Sequence, residues 1–74
     1  MWTSGKLEID GIEVWYEVKH FEEGSRFGID GGRISKLSVR IGREEIINYE
    51  RGWDIRPKGQ VAKTALAQLL KMYN

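Results

Sequence analysis

Cysteine is absent from this chain, and histidine and proline occur once each. Without thiols there is no disulfide framework and no thiolate metal site. A lone histidine, His20, is the only imidazole base available to a nucleophile, and beside it a metal would find only carboxylates. No apolar run approaches the roughly 20 residues needed to cross a bilayer, and the opening Met-Trp-Thr-Ser-Gly-Lys lacks the basic-then-apolar order of a signal peptide. These absences describe a cytoplasmic chain with no membrane contact. At 74 residues it is expected to form one domain, residues 1–74. Domains of this size bury only about 60% of the surface that the unfolded chain exposes, so packing, or a partner subunit, must supply the stability.

What is present is an ordinary globular composition, 41% hydrophobic and 31% charged, with a net charge of +1. The charges are segregated along the chain. Met1 to Glu23 is acidic through Glu8, Asp10, Glu13, Glu17, Glu22 and Glu23, whereas Gly24 to Arg43 carries Arg26, Arg33, Lys36, Arg40 and Arg43 against Asp30 alone. Glu44 to Asp54 is acidic again and Ile55 to Asn74 basic. In adjacent antiparallel strands such blocks fall side by side, each opposite pair contributing at most about 1 kcal/mol.

Period-two alternation dominates the first two thirds. Leu7-Glu8-Ile9, Asp10-Gly11 and Ile12-Glu13-Val14 read as a hairpin closed by a two-residue turn with both central φ angles positive. The second arm runs to about Phe21, with Ile12, Val14, Tyr16 and Val18 on one face and Glu13, Trp15, Glu17 and Lys19 on the other. Asp30-Gly31-Gly32 then predicts a sharp reversal, with Ser25 to Ile29 either a short strand before it or a loop. Arg33 to Ile41 is the clearest strand: Leu37, Val39 and Ile41 alternate with Lys36, Ser38 and Arg40. Ile34 is out of phase, so either the register shifts near Ser35 or Ile34 faces outward. Glu45 to Tyr49 reads as the last strand, and Gly52-Trp53-Asp54 as a loop leading out of the sheet.

After Pro57 the period changes to 3.6. Val61, Ala62, Ala65, Leu66, Leu69, Leu70, Met72 and Tyr73 form an apolar stripe over Lys58 to Tyr73. Sixteen residues span about 24 Å as a helix, which matches a seven-residue strand. The expected architecture is α+β, a four-stranded antiparallel meander with one C-terminal helix packed on one face. The opposite face, carrying Trp15, Lys36 and Arg40, has nothing in the chain to cover it.

Gly28-Ile-Asp-Gly-Gly-Arg-Ile-Ser-Lys-Leu37 together with Asn48-Tyr-Glu-Arg-Gly-Trp-Asp-Ile55 resembles a family of small uncharacterised proteins from phages and mobile elements of Gram-positive bacteria. The resemblance runs from about Val14 to Asn74. It implies an origin in mobile DNA and carries no activity with it. Lys58, Gly59, Gln60, Lys63 and Lys71 depart from a helix that is usually more acidic in that family.

No catalytic constellation is present, and the expectation is that the chain is not an enzyme and uses no cofactor. His20 is in phase with the buried face and reads as a core or rim residue. The carboxylates lack the spacing of a calcium loop, and Gly31-Gly32-Arg33-Ile34-Ser35 opens a strand where a phosphate-binding P-loop must open a helix. The favoured function is a protein-interaction module, an inhibitor or modulator of a host factor such as a defence nuclease, akin to anti-CRISPR proteins. Its expected binding residues are Trp15, Arg33, Lys36, Arg40, Arg43, Trp53 and Asp54, with Asp30, Gly31 and Gly32 shaping the turn. The alternative is a nucleic-acid binder using Arg33 to Arg43 for phosphates and Trp15 for stacking. Homodimerisation is a third way to cover the open face and is compatible with either.

Overall fold

The computed structural model describes residues 1–74. Five strands, β1 (Trp2–Ile9), β2 (Ile12–His20), β3 (Ile34–Ile41), β4 (Glu44–Glu50) and β5 (Trp53–Ile55), are followed by one helix, α1 (Gly59–Tyr73). The strands form a single antiparallel sheet in chain order, β1-β2-β3-β4-β5. The α+β meander and its C-terminal helix are as expected, but the sheet has five strands, not four. The extra strand is the segment read as an exit loop. Arg51, at φ 57°, and Gly52 reverse the chain so tightly that Trp53 pairs with Tyr49. Their rings meet edge to face, centroids 5.0 Å apart.

Asp10 and Gly11, with φ angles of 51° and 78°, make the β1–β2 turn anticipated from the Asp-Gly pair. The covered face takes Val14, Tyr16 and Val18 from β2, Leu37 and Val39 from β3, and Ile47 and Tyr49 from β4, all buried. Helix α1 closes that core with Ala62, Ala65 and Leu69. Met72, included in the predicted stripe, is 49% exposed and lies off it. Ile34 is fully buried because the register does shift: Lys19 pairs with Lys36 and His20 with Ile34, leaving Ser35 in a bulge. A second irregularity between Val39 and Arg40 puts Glu45 opposite Arg40, so Ile47 is buried while Ile46 packs at the core margin.

Residues 25–29 form no strand. The loop between β2 and β3 bonds to itself, through Gly28 N–H to Ser25 O, Ser25 N–H to Gly32 O and a 3₁₀ turn over Ile29–Gly31. A Cβ on Gly28 would overlap the Gly32 carbonyl oxygen, so glycine is needed where the two limbs touch. Ile29 plugs the loop into the core at 1% exposure. Asp30 (φ 53°) and Gly31 (φ 72°) supply the reversal expected of them. Asn74 locks the loop to the helix end: its side-chain amide donates to Ile29 O at 3.1 Å and its Oδ1 accepts from Ile34 N–H at 2.9 Å.

Candidate functional site

Alternation along three long strands sends a second set of side chains to the face opposite α1, and pairing aligns them in rows across the sheet. One row runs Trp2, Lys19, Lys36, Glu50; the next Ser4, Glu17, Ser38, Asn48; the third Lys6, Trp15, Arg40, Glu45; and Glu8 faces Glu13 at the end. The second row is made of small or short polar groups between rows that carry the two exposed tryptophans, Trp2 at 56% and Trp15 at 50%. The result is a trough across the strands. Its larger hollow, about 390 Å³, is bounded by Ser4, Trp15, Glu17, Ser38 and Arg40. The smaller, about 190 Å³, lies between Trp2 and the Lys36–Ser38 and Asn48–Glu50 segments.

Some of the charges on this face are settled among themselves and others are left free. Lys6 Nζ bridges Glu13 at 3.1 Å and sits 5.4 Å from the Trp15 ring centroid. Lys36 Nζ bridges Glu50 at 3.3 Å. Ser38 Oγ and Asn48 Nδ2 both donate to the Glu45 carboxylate, which with the nearby Arg40 holds its pKa below the ordinary value despite partial burial. Glu17 and Arg40, both bordering the larger hollow, have no ion-pair partner within 4 Å. Of the pairing expected from the charge blocks, only Lys36–Glu50 joins two blocks of opposite sign: Glu13 is taken by Lys6 from its own block, and neither Lys36 nor Arg40 bridges Glu13 or Glu17.

The expected binding residues do not gather in one place. Trp15, Lys36 and Arg40 share the open face. Arg33 lies before β3 and donates from Nε to the Asn74 carbonyl oxygen at 3.3 Å. Arg43 sits in the β3–β4 turn, exposed, beside Gly42 at φ 59°. Trp53 packs on the helix side against Tyr49, with the Arg56 guanidinium 5.6 Å from its ring, while Asp54 is exposed on the short edge strand. A cationic strand from Arg33 to Arg43 thus contributes only Lys36 and Arg40 to one surface. Trp2 was not anticipated; the continuous alternation Trp2, Ser4, Lys6, Glu8 was its signal, obscured by Gly5 in the strand. Gly5 is required there because Tyr16 crosses over it, and a Cβ would overlap the phenol ring.

His20 ends β2 at the rim, its Nε2 3.1 Å from Thr3 Oγ1 and its ring 5.0 Å from Tyr73. Tyr73 shares a 2.8 Å hydrogen bond with the Tyr16 hydroxyl. That bond, helped by burial, pushes the Tyr16 phenol up to about 12. No group of three or more His, Cys, Asp or Glu side chains could hold a metal, and no helix is long and apolar enough to cross a membrane.

The family model "Domain of unknown function (DUF7678)" matches residues 1–74. The chain belongs to this family. Membership covers the whole chain, including the Trp2–Ile9 strand that lay outside the resemblance read from the sequence. Comparison with curated proteins and with solved structures returns no match.

Proposed function

We propose that this protein is a small protein-interaction module that works through the open sheet face, as an inhibitor or modulator of a host factor such as a defence nuclease, in the manner of phage-borne antagonists. The observation that carries this reading is the pair of exposed tryptophans flanking a polar trough on a face the chain leaves uncovered. Tryptophan is the residue type most enriched at binding hot spots. Glu17 and Arg40 are free to select a partner that sets a base and an acid about an apolar group seated on Trp15.

The balance of charge weighs against nucleic acid. The open face carries Lys6, Lys19, Lys36 and Arg40 against Glu8, Glu13, Glu17, Glu45 and Glu50. A surface with more carboxylates than cations does not accumulate the positive potential on which phosphate-backbone binding depends. Affinity capture with the wild-type chain and with Trp15→Ala tests the reading: a protein partner retained by the first and lost by the second is expected. Capture indifferent to Trp15→Ala and Trp2→Ala removes this surface. Salt-sensitive mobility shifts of an oligonucleotide, persisting near 100 mM salt and abolished by Lys36→Glu and Arg40→Glu, would replace it with the nucleic-acid alternative.

A further inference from the structure

At the end of the sheet away from the β1–β2 turn, Lys19 and Lys36 stand directly opposite each other on β2 and β3. Like charges so placed are destabilising, and the fold adds a third cation. Arg51 takes a left-handed φ of 57°, and its N–H is fixed to Ser35 O at 3.0 Å. A non-glycine residue there is strained. The three cations border one hollow of about 150 Å³, completed by Ser25, Ser35, Phe21 and Phe27, with no carboxylate in its lining. Lys36 is offset by Glu50, which lies outside the lining, but Lys19 and Arg51 have no ion-pair partner and sit only near the Phe21 and Phe27 rings.

We propose that this hollow binds a phosphate group carried by a small molecule, held between Lys19, Lys36 and Arg51. Two uncompensated positive charges match a dianion. Lysine ammonium and the arginine fork supply charge-assisted donors to its oxygens; of the two serines in the lining, Ser25 accepts from Phe27 N–H and keeps its own proton to donate, whereas Ser35 Oγ already donates to Lys19 O. An internal diester of a polynucleotide carries one charge, whereas a terminal phosphate carries close to two, so two uncompensated cations favour a terminal phosphate. The site adjoins the tryptophan-flanked trough and shares Lys36 with its smaller hollow, but it does not rest on the protein-interaction reading.

Inorganic phosphate is the probe, titrated against the protein by amide chemical-shift mapping and by thermal melting, with sodium chloride matched for ionic strength. Saturable shifts centred on Lys19, Lys36 and Arg51 are expected, together with a raised Tm. Arg51→Gln and Lys19→Gln should each weaken binding at least tenfold. Lys19→Gln should at the same time raise the Tm of the phosphate-free protein by a few degrees, because it relieves the opposed pair. Phosphate effects no larger than those of chloride, or equal in wild type and both variants, overturn the site. Equal or tighter binding of an oligonucleotide lacking a terminal phosphate overturns the terminal-phosphate assignment.

Discussion

The two faces of the sheet are built from the same strands and the same alternation, yet they hold different kinds of information. Beneath α1, thirteen residues lose nearly all contact with water and form one continuous cluster. There, shape decides: Val14, Val18, Ile34, Val39, Ile47, Ala65 and Leu69 are fully enclosed, and such side chains contribute roughly 1.5–3 kcal/mol each through burial for the larger ones. On the opposite face the spacing is equally regular but the groups are serine, glutamate, lysine and tryptophan. Exposed pairs such as Lys6–Glu13 are worth little. One face therefore sets whether the chain folds, and the other is free to vary with what it meets.

That contrast can be broken from the covered side first. Leu69→Ala, at the centre of the helix contact, is expected to destabilise by about 2–5 kcal/mol, close to the entire stability of so small a domain. Urea unfolding followed by circular dichroism should find it largely unfolded at room temperature. Asn74→Ala leaves the Ile34 amide without its acceptor and should cost about 1–3 kcal/mol, with faster exchange at Ile34 in a hydrogen-exchange experiment. Gly28→Ala forces the loop limbs apart and should cost upwards of about 1 kcal/mol, read as a lower urea midpoint.

A pH series sharpens the contrast further. The hydrogen bond to Tyr73, with burial, pushes the Tyr16 phenol up from its ordinary 10.0 to about 12. The fold thus favours the neutral phenol, and this contribution is complete below pH 10 and lost as pH rises from 10 towards 12. Wild-type Tm should fall more steeply over that window than that of Tyr16→Phe. At the small end, Trp15→Ala on the open face should change stability by no more than about 0.5 kcal/mol. A loss comparable to that of Leu69→Ala would mean that Trp15 belongs to the folding machinery and not to a binding surface.

Much of the architecture was legible because the signals were local. Asp10-Gly11 announced its turn, Leu37-Val39 and Val14-Tyr16-Val18 their buried faces, and Pro57 the start of the helical period. The fifth strand was missed because three residues, Trp53 to Ile55, are too few to show a period, and because Arg51 at positive φ carries no sequence mark. The Ser25–Ile29 segment misled through Phe27 and Ile29 at spacing two: Ile29 is buried, but Phe27 is exposed between the Arg26 and Arg51 guanidiniums. For the site, alternation placed Trp15, Lys36 and Arg40 together correctly. It could not show that Arg33 turns to Asn74, or that Glu50 claims Lys36, since both depend on segments distant in the chain.

The Asn74 lock has a kinetic meaning. Every strand pairs with its sequence neighbour, so the sheet can assemble by successive hairpins, whereas Asn74 joins Ile29 and Ile34 at sequence separations of 45 and 40. Such distant closures are slow to find. The buried end of the β2–β3 loop should therefore gain its protection only when the helix docks, making the Ile34 amide a clock for the final step of folding and the first reporter when the helix begins to lift.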